Sequence, residues 1–188
     1  MPKIELTILL RIIFLVGLLL QPLGSAIAVS ADSFPPRGSL NVPSELQTLK
    51  SEGQKLIKAI RDKEIDAVLR FFPAEETVAI DFDRNMSLRE IEHELRTQNG
   101  LIYSTLFDSG QLQRISRQRH ATSLQDYFLK APRVAIVVKE WNGISSVRDP
   151  LLASLILLWG TRPPEGFFDP VMCRYTGGWK FRTFFTQP

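Results

Sequence analysis

Hydrophobic positions follow a helical period in the first half of the chain and a strand period in the last third. Leu46, Leu49, Leu56, Ile57 and Ile60 recur at helical spacing, and Lys50, Glu52, Lys55, Lys58 and Arg61 fall mostly on the opposite side. That arrangement predicts an amphipathic helix with one core-facing stripe. Ser44 and Gln47 have capping-box spacing just after Pro43, which places the helix start at Ser44. The charged run Arg61-Asp62-Lys63-Glu64 interrupts the stripe, and Ile65, Val68, Leu69 and Phe72 resume it up to Pro73. One continuous helix would fit; a long helix, a bend near Asp62 or Lys63 and a short second helix fit better, with the charges in a solvated turn. Thr77–Phe82 is rich in β-branched and aromatic residues and reads as a short strand. Ser87-Leu88-Arg89-Glu90 is a second capping box, opening a helix that carries Leu88, Ile91 and Leu95. Gly100 separates that helix from Leu101, Ile102, Leu106 and Phe107. Residues 108–122 are polar and basic, and Ser123–Leu129 reads as a short helix or turn.

The period then falls to two. Val134–Val138 is a strand, and Asn142-Gly143 is a strong hairpin signal. Leu151–Trp159 is almost wholly apolar between Pro150 and Gly160. A buried helix is the alternative, but its shortness and its neighbours favour a central strand buried on both faces. Val171–Phe185 is a hairpin turning at Thr176-Gly177-Gly178. A three-residue loop would oppose Tyr175 to Trp179 and Cys173 to Phe181, gathering Val171, Cys173, Tyr175, Trp179, Phe181 and Phe185 on one apolar face. The expected fold class is α+β: N-terminal amphipathic helices packed on a curved antiparallel sheet formed mainly by the C-terminal third.

The first residues carry a different pattern. Lys3 and Arg11 precede the apolar run Ile12–Leu20, Pro22 and Gly24 break it, and the small residues Ser25–Ala31 follow. This is the order of a secretory signal, with cleavage after Ala28 or Ala31. The run is too short for a spanning helix, which needs about 20 apolar residues. The expected organisation is a cleavable signal at 1–31, a flexible lead-in at 32–42 and one α+β domain at 43–188, exported to the periplasm or the medium. No stable transmembrane segment would remain after cleavage.

Composition narrows the functional classes. With 44% hydrophobic and 23% charged residues, the chain is neither disordered nor low-complexity. Its single cysteine, Cys173, excludes an internal disulfide framework and is expected to be a buried, inert thiol. The net charge of +3 falls to +2 without Lys3, Arg11 and Glu5, too weak a bias to point to nucleic acid.

The stretch Leu56–Phe72, an amphipathic helix followed by an acidic turn and a short helix ending in aromatics, resembles the opening of the nuclear transport factor two-like superfamily. Gly177-Gly178-Trp179-Lys180-Phe181 is similar to the Gly-x-Trp-Lys pattern of that superfamily's last hairpin. The resemblance covers about a fifth of the chain. It implies a cone-shaped fold with a central cavity and no single activity, since the superfamily includes isomerases, dehydratases, cyclases and pure binding modules.

No catalytic motif is present. Asp81 and Asp83 with His93, Glu92 or Glu94 could imitate a metal site, but no recognised ligand spacing supports it, so no metal and no cofactor are expected. An isomerase-like or dehydratase-like enzyme would need a carboxylate base, from Asp81, Asp83 or Glu140, and donors from Tyr103, Tyr175 or Trp179 in an apolar pocket. Serine never stands in Gly-x-Ser-x-Gly, and nothing in the spacing brings His93 or His120 to Cys173. The reading therefore leans away from catalysis, towards a module of the cell envelope that binds an apolar small molecule or a protein. Tyr175, Trp179, Trp159 and Tyr103 are candidates to line a pocket; Trp141 shares the sheet region, and such aromatics more often pack the core. Arg114, Arg117 and Arg119 are candidate anion contacts; in a helix, Arg114, Arg117 and His120 would share a side.

Overall fold

The structure is a computed structural model; it describes residue 35 and residues 40–81, 84–131, 133–140, 150–159 and 166–184. The expected signal, most of the lead-in, Asp83, Trp141, the Asn142-Gly143 turn and Phe185 lie outside the described residues, as does the side chain of Asp81.

Helix α1 spans Val42–Arg61. Its cap is Asn41 rather than Ser44: the Asn41 side chain accepts the Ser44 backbone N–H at 3.3 Å. The expected box at Ser44 and Gln47 is thereby replaced, because Asn is as good a cap as Ser and Pro43 is well tolerated inside the first turn. Leu49, Gly53, Leu56, Ile57 and Ile60 form the buried stripe. The helix ends at Asp62, Lys63 takes φ +54°, and α2 (Ile65–Leu69) follows, so the bend falls where the charged run predicts it.

Strand β1 (Val78–Asp81) pairs with β2 (Arg84–Met86). Helix α3 (Leu88–Thr97) starts at Ser87 with the capping box formed in both directions. Gln98 closes it in a left-handed conformation, and Gly100, at φ +99°, caps the start of α4 (Leu101–Phe107). The polar stretch after it is helical in part, as α5 (Ser109–Ser116), capped by the Asp108 side chain. Helix α6 (Leu124–Lys130) is capped by Ser123.

The remaining strands are β3 (Val134–Glu140), β4 (Leu152–Trp159), β5 (Gly166–Phe168), β6 (Val171–Tyr175) and β7 (Gly178–Thr183). They form one sheet in the order β2-β1-β7-β6-β4-β3, with β5 also pairing with β4. The fold is α+β, with helices from the N-terminal half packed against a mixed, open sheet. The sheet is antiparallel except at β1 and β7, which run parallel through Ala79 and Thr183.

Strand β4 is central, as expected, but it is not buried equally on both faces. Ala153, Leu155, Leu157 and Trp159 are 0–5% exposed, whereas Leu152, Ser154, Ile156 and Leu158 are only half-buried. The first set faces the helices. α1 comes so close there that a Cβ on Gly53 would stand 2.8 Å from Leu155 Cδ1.

The last hairpin has a shorter loop than expected. Tyr175 opposes Gly178, Arg174 opposes Trp179, Cys173 opposes Lys180 and Met172 opposes Phe181, so Thr176-Gly177 alone make the turn. Gly178 adopts φ +119°, a conformation that glycine accepts without strain. This register keeps Trp179, Phe181 and Met172 towards the helices and turns Cys173 and Tyr175 to the other face. The single apolar face expected from a three-residue loop does not form. Arg174 remains on the helix side, where its Nε donates to Glu45 Oε2 at 2.6 Å and ties the hairpin to the first turn of α1.

The close approach at Gly53 gives a stability prediction. Gly53→Val adds volume against Leu155 and Ile136, and overpacking of this kind costs about 1–3 kcal/mol. A chemical denaturation curve of the variant should show a lower midpoint with an unchanged slope.

Candidate functional site

The four aromatic candidates are not brought together. Tyr103, on α4, is 4% exposed. Its hydroxyl accepts from Lys63 Nζ at 2.6 Å and donates to Gln98 Oε1 at 3.2 Å. The hydrogen bond from Lys63 fastens the turn between α1 and α2 to the helical layer. Trp159 stacks on Tyr127 at 4.8 Å and meets the edge of Phe128 at 5.8 Å. Trp179 is buried in the same core. Both indole N–H groups are buried without a hydrogen-bond partner among the described residues. Trp159, Trp179 and Tyr103 therefore pack the core, while Tyr175 lies on the opposite face of the sheet.

The basic candidates also separate. α5 ends at Ser116 and Arg117 closes it at φ +58°, so the helical stripe of Arg114, Arg117 and His120 does not form. Arg114, Arg117, Arg119 and His120 are all exposed. Among the acids near the expected metal imitation, Glu94 pairs with Arg84 at 3.0 Å and Glu92 with Arg96 at 2.8 Å. No group of three or more His, Cys, Asp or Glu among the described residues could hold a metal ion.

Two features occupy the face of the sheet turned away from the helices. The first is polar and lies at the hairpin. Tyr175 Oη donates to Glu76 Oε2 at 2.8 Å, and Arg182 Nη1 donates to the same oxygen at 3.2 Å. Burial, and then the hydrogen bond to the Glu76 carboxylate, push the Tyr175 phenol well above its ordinary value. Burial pushes the Cys173 thiol up to about 12, opposed in part by Arg182 and reinforced by Glu76. Thiol and phenol are both held protonated at neutral pH, so the cluster offers no ready nucleophile. Glu76, the hub of the cluster, carries no sequence signal: it is 99 positions from Tyr175 and sits in an unpatterned turn.

The second feature is apolar. Register places Ala135, Leu158 and Phe167 in one row across β3, β4 and β5, and Val137 and Ile156 in the next. Neighbouring strands lie about 4.8 Å apart, so these side chains are contiguous. Val137 is 45% and Phe167 47% exposed, and Ile156 and Leu158 between them are only half-buried. Lys139 stands exposed at the margin, opposite Ser154. Individually exposed apolar residues are ordinary; what distinguishes these is that they are joined on one face. No family model matches the sequence, and no curated protein is significantly similar to it.

The raised Cys173 thiol gives a pH prediction. In the unfolded chain the thiol ionises near 9.0, and in the folded one near 12. Between those values the unfolded chain has lost a proton that the folded chain keeps, so stability is full below the lower value and declines as pH rises towards the upper one. Native protein should resist a thiol reagent at pH 8 and react once unfolded. Urea midpoints should fall between pH 8.5 and 11, and by less in Cys173→Ala. Rapid labelling of the native protein at pH 8 would contradict the burial argument.

Proposed function

We propose that this protein is an exported, non-catalytic binding module that holds a partner protein against the outer face of its sheet. The observation that carries the reading is the joined apolar set Ala135, Val137, Ile156, Leu158 and Phe167, exposed in part and flanked by Lys139. Among the described residues, Trp159, Trp179 and Tyr103, which could have lined an interior pocket, are spent on core packing, and the Cys173 thiol and Tyr175 phenol beside Glu76 are held protonated. An apolar sheet face suits a protein surface better than a small ligand, which binds in concave sites. Export rests on the basic, apolar and small-residue order of residues 1–31.

A relationship to the nuclear transport factor two-like superfamily belongs to the same reading. It is supported by the long first helix, the acidic turn at Asp62–Glu64, the short α2 running into buried Phe71 and Phe72, and the hairpin that turns ahead of Trp179 and Lys180. Within that relationship, the outer face is the surface given to the partner.

A photo-reactive aromatic residue at position 167, introduced in the cells that make the protein, should give one discrete adduct with another protein. The same probe at exposed Lys50, on α1, should not. Once the partner is identified, Phe167→Asp should weaken its binding about tenfold or more, as central aromatic contacts do. Identical adducts from both probe positions, or an apolar small molecule retained in native mass spectrometry with no adduct at 167, would refute the protein-partner reading.

A further inference from the structure

The two edges of the sheet are unlike each other. The β2 edge is three residues long, begins with exposed Arg84 and Asn85, and adjoins a register shift between Ala79 and Asp81. Short length, charge and irregularity are the usual protections against edge-to-edge pairing. The β3 edge has none of them over its first five residues. Val134-Ala135-Ile136-Val137-Val138 is uncharged, contains no proline, and pairs with β4 in unbroken register from Val134↔Trp159 to Glu140↔Ala153.

The direction of its backbone groups follows from β4. Leu155 N–H donates to Pro170, and Leu151 C=O accepts from Arg174, so the odd residues of that strand turn their backbone groups away from β3. The even residues Ser154, Ile156 and Leu158 therefore bond to their partners Lys139, Val137 and Ala135. Along β3 the alternation leaves the N–H and C=O groups of Val134, Ile136 and Val138 pointing outward. Among the described residues no strand and no hydrogen bond engages them.

We propose that this edge pairs antiparallel with β3 of a second copy of the chain, making one sheet continuous through a two-fold axis at Val137. The occupant follows from the register. A two-fold axis perpendicular to the sheet must keep both outer faces on the same side and must pair outward-pointing residues with each other. Centred on Val137, Ile136 exchanges backbone hydrogen bonds with Val138 of the other copy, and Val137 meets its own counterpart on the outer face. Lys139 falls opposite Ala135. Moving the axis to Ile136 would set Arg133 directly opposite Lys139, a like-charge pair that costs stability. In this register the edge is self-complementary, with apolar residues at the centre and Arg133 and Lys139 kept apart. This inference rests on the edge's outward backbone groups; Ala135 and Val137 also belong to the apolar set of the docking reading, whereas Phe167 lies beyond β4 on β5.

Sedimentation or light scattering should show a dimer at micromolar concentration. Val138→Pro removes an outward N–H while leaving the bonds to β4 intact, as proline does on edge strands, and should yield a folded monomer with the Phe167 adduct retained. Val137→Cys tests the register without relying on that variant. Residues directly opposite in a non-hydrogen-bonded pair have Cα atoms about 4.5 Å apart, within disulfide reach. Mild oxidation should therefore join Val137→Cys into a covalent dimer, while Lys139→Cys, which faces Ala135, should stay monomeric on a non-reducing gel. A monomeric wild-type protein at 100-micromolar concentrations, a dimer that survives Val138→Pro, or equal crosslinking at 137 and 139 would each overturn the proposal.

Discussion

The alternation of side chains along β4 is the constraint on which the rest of the structure depends. Leu155 and Leu157 are wholly buried, and Trp159 nearly so, all on the side that α1 covers. Full burial of a large apolar side chain contributes about 1.5–3 kcal/mol, so a one-residue slip, which would send this whole set to the outer face, is strongly disfavoured. The neighbours inherit the phase: β3 through Ile136↔Leu157, β5 through Phe168↔Leu157, and β6 through Met172↔Ala153. Gly53 lets α1 approach the strand at its middle. Arg174, carried on β6 in the same phase, then reaches Glu45 at the start of that helix.

The same phase decides what remains uncovered. The described helices cover one face of the sheet. The even residues of β4 are leucines and isoleucine apart from Ser154, and with no described helix above them they are half-buried. At the hairpin end the outer face closes differently, because Glu76 gathers Tyr175 and Arg182 over a buried thiol. A polar, satisfied end and an apolar, open end on one face result from a single register.

Much of the fold was legible in the sequence because its signals are local. The stripe Leu49–Ile60, the bend at Asp62 and Lys63, the capping box at Ser87 and the strand character of Leu151–Trp159 are each set by residues within a turn or a strand of one another. The hairpin register was not legible. Its reading assumed that Cys173 and Tyr175 must share the apolar face with Trp179. Tyr175 is amphipathic, however, and its hydroxyl satisfies a carboxylate contributed from far earlier in the chain, which no local pattern announces. Arg117 shows the limit in another form: the basic run could be counted, but the left-handed residue that ends α5 there removes the helical face on which the cluster depended. For the aromatic residues the sequence leaves two readings, pocket lining or core packing, because size and apolarity serve both; the phase of β4 and β7 turns Trp159 and Trp179 into the core.

Charge completes the argument about the open end. Several basic residues are matched locally: Lys58 by Asp62 and Glu64, Arg96 by Glu92 and Asp66, Arg84 by Glu94, and Arg174 by Glu45. The exposed pairs among them add little stability, but together with the part-buried Arg174–Glu45 pair they neutralise charge around α1, α3 and the hairpin. Lys130, Arg133 and Lys139 lie outside these pairs, exposed before, beside and at the end of β3. Positive charge beside an apolar edge weighs on how like strands can pair: shifting the axis from Val137 to Ile136 sets Arg133 against Lys139, whereas the Val137 register keeps them apart. In the proposed pairing the apolar residues between these charges would supply the attraction.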